Sequence, residues 1–304
     1  MKKLLYPKFK KPILQKGIFP VRSFVALFLI SLLTIGCNSP AKISGKLQGV
    51  ENSEAKVYLI QPQSLWQVTA SFLGKVIDSS AVAADGSFEF RNLPKTKDPV
   101  LLEIALKQDN KMPGFLETED PQKANYMPVV WNPGKPLHIN GNIEEFQKSF
   151  SIEQASEVNK ALLKLRDIKA KAFRDNNLGK HWEVESGNEL LKKEKAILQY
   201  QKELMNFANN TDNLLPALVA LRWVSVENNY ERVPEFLVEQ CNRWQKEAAG
   251  HAWVQQLCKA SAPSNLPVLV GDKFPDLELP TLEKDTVSLK EKLGSKLTII
   301  DLWA

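Results

Sequence analysis

Acidic residues are missing from the first fifty positions of this 304-residue chain, and their absence changes the meaning of its net charge. The first acid is Glu51, whereas residues 1–36 contain seven basic side chains. Without those seven charges, the net charge of +5 becomes −2 for residues 37–304. A body so close to neutrality gives no electrostatic reason to expect nucleic-acid binding, which depends on a basic surface. The seven basic residues are Lys2, Lys3, Lys8, Lys10, Lys11, Lys16 and Arg22.

Cysteine and histidine are scarce as well, with three of each. The sequence has no Cys-x-x-Cys motif and no Cys/His cluster at the spacing of a zinc site. Asp78 stands beside Ser79 and Ser80, but no base is placed to activate either hydroxyl, so we interpret them as polar residues at a strand edge. We therefore expect no metal and no cofactor. The histidines, far apart and interpreted as ordinary side chains, are His138, His181 and His251.

The sequence also lacks an apolar run long enough to span a bilayer, which takes about 20 residues. The twelve mainly apolar residues Phe24–Ile35 follow the basic start and fit the core of a secretory signal. Small Gly36 directly before Cys37 resembles a bacterial lipobox, which predicts a signal peptide over 1–36 and lipidation of Cys37. The expected location is then a membrane surface facing the periplasm, held by a lipid anchor. The alternative is an ordinary signal peptide followed by an incidental cysteine.

Residues 37–148 read as a β-rich domain. Short stretches of alternating apolar residues are separated by turn residues, and Pro62 ends one of them. Asp85-Gly86 predicts a hairpin turn that leads into alternating Phe88 and Phe90. The spacing of these strands predicts a small antiparallel β-sandwich or barrel.

Residues 149–262 have the apolar spacing of helices, with Lys and Glu on the opposite faces. The pattern predicts an internal helical bundle, in which the run from Leu214 to Val224 is buried. In one long helix, pairs of apolar residues recur every seven positions and predict a narrow packing seam. These pairs are Leu190/Leu191, Ile197/Leu198 and Leu204/Met205.

Cys241 and Cys258 lie in the last two predicted helices, at equal distances from a turn near residues 248–250. In an antiparallel helical hairpin, equal distances place two residues opposite each other, and an exported protein meets an oxidising compartment. The sequence leaves two alternatives open, a structural disulfide or two separate buried thiols. Neither cysteine stands at a helix N-terminus, so we do not expect a redox-active pair.

The last segment, 267–304, follows a Pro/Ser-containing linker and carries a family resemblance. Gly271, Phe274-Pro275-Asp276 and Leu277–Leu279 resemble the opening motif of redoxins of the TlpA-like thiol–disulfide oxidoreductases and alkyl-hydroperoxide-reductase relatives. Val287-Ser288-Leu289, Gly294, Lys296 and the final LTIIDLWA resemble the family's next motif. The front of the chain, around Ile43-x-Gly45 and Asp85-Gly86-x-Phe88-x-Phe90, is similar to the domain that precedes such modules in Bacteroidota lipoproteins. The helical middle, around NNTDNLLPALVAL, is similar to the connecting region of the same proteins.

The resemblance implies an α+β multidomain chain: an N-terminal β-sandwich or barrel, a central helical region, and an incomplete C-terminal thioredoxin-like α/β fold. The stretch KLTIIDLWA, Lys296 to Ala304, is expected to be a buried strand. In the family a Ser-Trp-Cys-x-x-Cys follows, so no catalytic residue can be assigned here, and Asp301 and Trp303 would only flank the active site. The implied partners are periplasmic protein disulfides and a membrane electron donor. A peroxiredoxin-type peroxidase and a non-enzymatic lipoprotein that binds a partner or glycan are the alternatives.

Overall fold

The fold is known from a computed structural model, which describes residues 42–50, 54–70, 73–108, 120–183, 186–266, 269–273 and 276–300. The described residues belong to one compact unit that combines sheets and helices, so the predicted α+β class is confirmed. The predictions for residues 1–36, Cys37, Asp301 and Trp303 lie outside the described residues. Among the described helices, none has the length and apolar character needed to cross a membrane.

Eight strands form two four-stranded sheets, which share one hydrophobic core and make a β-sandwich. Sheet one has the strand order β4-β1-β7-β8, and sheet two has the order β3-β2-β5-β6. Phe88, Phe90 and Ile139 of sheet one belong to the same core as Leu59 and Ile104 of sheet two. The strands are β1 (Ile43–Gln48), β2 (Ala55–Gln61), β3 (Lys75–Ala81), β4 (Ser87–Phe90), β5 (Val100–Gln108), β6 (Tyr126–Trp131), β7 (Leu137–Asn142) and β8 (Ser151–Ile152).

The sandwich is not wholly antiparallel, and in this respect the prediction is wrong. Strands β1 and β7 pair in parallel, with Ile43 opposite Leu137 and Gly45 opposite Ile139. The chain crosses between the sheets several times: β2 and β3 lie in sheet two, β4 in sheet one, β5 and β6 in sheet two, and β7 in sheet one again. Because β7 re-enters sheet one in the direction of β1, the two strands run the same way.

The turn at Asp85-Gly86 is present, but it does not join a paired hairpin. Gly86 has a φ of 83°, the left-handed conformation that glycine adopts without steric cost, and its carbonyl accepts the Leu47 N–H at 2.9 Å. Strand β3 before the turn pairs with β2, whereas β4 after it pairs with β1. The predicted turn therefore carries the chain from one sheet to the other. The alternation of apolar and polar residues along a strand does not show which other strand pairs with it.

The helices share the hydrophobic core of the sandwich, and two of them pack directly against strand β6 of sheet two. One part of the seam prediction is wrong: Leu190 and Leu191 are 46% and 68% exposed, because α3 is longer than the surface it packs on and meets the core only from its middle onward. The helices are α1 (Phe146–Ser149), α2 (Glu157–Asp175), α3 (Gly187–Asn210), α4 (Leu214–Val224), α5 (Pro234–Ala248) and α6 (Ala252–Ala260).

Side-chain amides of the helical part bond to the edge strand of sheet two. Asn159 of α2 accepts the Val130 N–H at 2.8 Å and donates to the Val130 carbonyl at 2.9 Å. Gln147 of α1 donates to the Tyr126 carbonyl at 2.8 Å. An exposed sheet edge offers unpaired backbone groups to other chains, and these amides occupy such groups on β6. The sandwich and the helices are thus joined by hydrogen bonds as well as by apolar contact.

The C-terminal segment contains a short antiparallel hairpin, β9 (Glu278–Pro280) and β10 (Thr286–Ser288). The predicted buried strand at its end is wrong over the described residues. Residues 297–300 are in no regular structure, and Leu297 and Ile299 are 78% and 84% exposed. A buried strand needs paired neighbours, and none of the described strands lies beside this stretch.

Candidate functional site

A loop at residues 64–70, between β2 and β3, meets the helices through a buried arginine. All five N–H groups of Arg222 in α4 donate hydrogen bonds, which is the full capacity of a guanidinium. Two go to the loop, to the carbonyls of Val68 at 3.0 Å and Trp66 at 3.2 Å. The other three go to the loop that follows α4, to the Ser225 carbonyl, the Val226 carbonyl and the Asn228 side chain. Arg222 therefore fixes two loops to each other from a fully buried position.

A buried carboxyl supports the same loop from the sheet. Glu103 of β5 is 1% exposed and accepts the Thr69 N–H at 2.5 Å, where Thr69 has a φ of 58°. Burial raises the pKa of Glu103 to about 7, although the Thr69 N–H and the charge of Arg222 both act to lower it. The loop is held at a third point by Gln256 of α6, which accepts the Leu65 N–H at 2.8 Å.

These anchored loops form one side of a large cavity, which we call the junction cleft. Its volume is about 1090 Å³, and its lining includes Trp66, Tyr230, Glu231, Leu237, Gln256 and Lys259. Small-molecule sites usually measure about 300–1,000 Å³, so the junction cleft is large enough for an extended ligand. Asn265 and Leu266, which also line it, belong to the linker that leads to the C-terminal hairpin.

The cleft is suited to binding and carries no evident catalytic set. Tyr230 donates its hydroxyl to the Leu221 carbonyl at 3.1 Å, and burial raises its pKa to about 12, so it is not an acid–base group near neutral pH. Among the described residues of the lining there is no cysteine and no nucleophile paired with a base. What they offer is one indole, several amides, and the opposite charges of Glu231 and Lys259. This is a set for holding a polar, extended chain.

Cys241 and Cys258 form a disulfide between α5 and α6, with their Cα atoms 5.0 Å apart. Of the two alternatives that the sequence left open, the structure has the bridge. Cys241 is 7% exposed, so the bond is largely shielded from solvent reductants. Both bridged helices contribute to the wall of the junction cleft, through Leu237 and Gln256. The disulfide therefore has a structural position, beside the cleft but not in its lining.

The other polar residues singled out in the sequence have local roles. Asp78 accepts the N–H groups of Ser79, Arg91 and Asn92; partial burial opposes ionisation, but these bonds hold its pKa below the usual value. His251 accepts the Trp253 N–H and caps α6, with its pKa lowered by burial.

The remaining histidines do not form a site either. His138 contacts the Ser44 hydroxyl at 2.9 Å on an exposed face of sheet one, and no carboxylate of the described chain bonds to that ring. His181 is exposed in the loop after α2. Over the described ranges, no three His, Cys, Asp or Glu side chains are grouped as metal ligands.

Sequence reasoning missed Arg222, Glu103 and Trp66. One signal for Arg222 was available, because it is the only charged residue in the apolar run LLPALVALRWV. An arginine that the surrounding pattern forces into a core must find partners for its charge and its donors. Trp66 carried no comparable signal, since its role depends on where a loop meets the helices.

Comparison of the chain with protein-family models, with curated proteins and with solved structures gave no match.

Proposed function

We propose that this chain forms the non-catalytic part of a membrane-anchored thiol–disulfide oxidoreductase that faces the periplasm. In this proposal the lipidated Cys37 anchors the protein, and the β-sandwich with its helices presents the redox module to its substrates. Those substrates are disulfides of periplasmic proteins, and the electrons come from a membrane donor. No cofactor or metal takes part, because thiol–disulfide exchange needs only thiolates and a disulfide.

One observation carries the proposal, the redoxin-like pattern of the last segment. Its two matched stretches, Leu277–Leu279 and Val287-Ser288, pair directly with each other, with Leu279 opposite Val287. Segments that belong to one module are expected to pack together in this way. Since the catalytic cysteines of the family would follow Ala304, Asp301 and Trp303 are proposed as flanking residues and the chain itself supplies no thiol for exchange.

The Cys241–Cys258 disulfide supports the proposed compartment. Stable structural disulfides belong mainly to oxidising locations such as the periplasm and are rare in the cytosol. The bond joins two helices through a buried Cys241 and a partly buried Cys258, which protects it in part from a nearby reducing active site.

The test is to read the gene beyond codon 304 and then assay the encoded protein. The expected result is a Ser-Trp-Cys-x-x-Cys sequence after Trp303-Ala304, with insulin reduction that disappears when the first of these cysteines is changed to Ser. A Pro-x-x-x-Thr-x-x-Cys sequence would replace the proposal by a peroxiredoxin-type peroxidase. A stop codon would overturn both, because the 304-residue chain has no exchange-competent thiol once Cys37 is acylated and Cys241 and Cys258 are bridged.

A second candidate is a non-enzymatic binding lipoprotein, and the junction cleft is the observation that favours it. An amide-rich wall with one indole and both signs of charge fits an extended polypeptide. The probe is reduced, alkylated ribonuclease, labelled for fluorescence anisotropy. Binding that weakens with Trp66→Ala, and not with the exposed control Leu73→Ala, would support this candidate. Equal binding by both variants would contradict it.

A further inference from the structure

A second cavity lies within the helical part and is bordered by the loop after α4, one of the two loops that Arg222 holds. We call it the aromatic pocket; its volume is about 370 Å³, within the range of small-molecule sites. Four aromatic side chains line it: Phe173 of α2, Trp182 of the following loop, Tyr200 of α3 and Trp223 of α4. Three helices therefore contribute aromatic rings to one small volume. Asn229 lines this pocket and the junction cleft alike.

Two buried polar atoms of the pocket lining have no hydrogen-bond partner within the described protein. They are the indole Nε1 of Trp182, a donor, and the Oε1 of Gln201, an acceptor. Gln201 is 5% exposed, and its orientation is fixed because its Nε2 donates to the Val224 carbonyl at 3.0 Å. Leaving such groups unpaired carries their full desolvation penalty, so proteins rarely keep them without a use.

The charges around the aromatic pocket cancel. In the lining, Lys193 and Arg232 are positive and Glu227 is negative, and the further negative charge is that of Glu194, which is not in the lining but bonds to Arg232. Arg232 is also committed, because it forms a two-point ion pair with Glu194 at 2.6 and 2.9 Å. A charged ligand would meet no net opposite charge here. The site is therefore matched to a neutral ligand.

We propose that the aromatic pocket binds a neutral hydroxylated ring, one or two sugar units of a glycan. The apolar C–H faces of a sugar ring pack on the negative faces of aromatic rings. Each sugar hydroxyl both donates and accepts, so neighbouring hydroxyls can accept from Trp182 Nε1 and donate to Gln201 Oε1. A phenylalanine side chain from a partner protein would fill the same volume and leave both atoms unpaired.

This inference does not rest on the proposed function, because it concerns a site that thiol–disulfide exchange does not use. The experiment measures binding of maltose, cellobiose and chitobiose to the 304-residue protein by calorimetry, at millimolar sugar. Adenosine, a neutral compound whose aromatic base could also stack in the pocket, is measured as the comparison ligand. Intrinsic fluorescence gives a second readout, since Trp182 and Trp223 both line the pocket.

The expected result is saturable binding of at least one disaccharide, weakened about five-fold by Trp182→Phe, which removes one donor and keeps a ring. The matched control is Trp253→Phe, at an indole that does not line this pocket, and it should leave binding unchanged. Circular dichroism of both variants shows that the fold is retained. No binding of any of the three sugars, preference for adenosine, or equal binding by Trp182→Phe would each overturn the proposal.

Discussion

The buried carboxyl of Glu103 makes a quantitative prediction about stability and pH. The pKa of its side chain is raised from 4.5 to about 7 in the folded protein, because burial penalises the charged form. Between these two values the folded state holds a proton that the unfolded state has released. Stability should therefore fall as the pH rises from about 4.5 to 7, and the loss should be complete above that range.

The size of the effect follows from the shift. One pKa unit corresponds to about 1.4 kcal/mol, so the change from 4.5 to about 7 corresponds to a loss of about 3 kcal/mol between pH 4.5 and pH 8. Glu103→Gln removes the titration and keeps the acceptor that bonds the Thr69 N–H. Relative to the wild type, the variant should gain about 3 kcal/mol in unfolding free energy over this pH range.

The assay is urea unfolding of the oxidised protein at pH 4.5, 6 and 8, followed by circular dichroism. Comparing the two proteins at each pH cancels the contributions of all other titrating groups. Glu144→Gln is the matched control for the replacement of a glutamate by glutamine, because its carboxyl is exposed on the loop between β7 and α1. If the difference in unfolding free energy between Glu103→Gln and the wild type were the same at all three pH values, the assignment of a protonated buried carboxyl would be refuted.

Three further predictions concern the contacts that hold the molecule together. Reduction of the disulfide, or the double substitution of Cys241 and Cys258 by Ser, should lower the unfolding free energy by about 3 kcal/mol, because the bridge closes a loop across 17 positions. Equal urea midpoints with and without reductant would contradict this prediction. Arg222→Met should lower the unfolding free energy by about 3–5 kcal/mol in thermal unfolding experiments, since it leaves one buried and three part-buried carbonyls without their donor. The loss for Arg222→Lys, which has three donors, should lie between zero and that of Arg222→Met, and an unchanged stability of Arg222→Met would contradict this role of the guanidinium. Asn159→Leu should lower the unfolding free energy by about 1–3 kcal/mol and increase aggregation measured by light scattering, because the Val130 N–H and carbonyl on the edge of β6 lose their partner. The control Asn206→Leu, on the outer side of α3, should change neither stability nor aggregation.

The strands and helices follow closely from the sequence because their causes are local. Pro62 ends β2, the alternation of Phe88 and Phe90 marks β4, and the apolar spacing after Ser156 marks α2. Hydrophobic periodicity and turn residues act over a few positions, so a single sequence contains them.

The pairing of strands and the burial of charged residues were not predictable in the same way. Nothing in the residues of β1 indicates that β7 would lie beside it in parallel, since that depends on the path of the chain through both sheets. Glu103 and Arg222 are of types that usually remain in water, and only the fold supplies the partners that allow their burial. The stretch from Leu297 was predicted as a strand from its apolar character, which does not by itself supply a neighbour.

The amide contacts on β6 bear on how this architecture can be inherited. A recombination event that transferred the sandwich alone into another protein would leave the backbone groups of Val130 and Tyr126 without their partners Asn159 and Gln147. An event that transferred the helices alone would leave Arg222 without the two carbonyl acceptors of the 64–70 loop. Recombination between the two parts is therefore penalised from either side. The segment from Lys42 to Ala260 is expected to move between genomes as a single inherited block, while the linker after it is a permissive point for fusion.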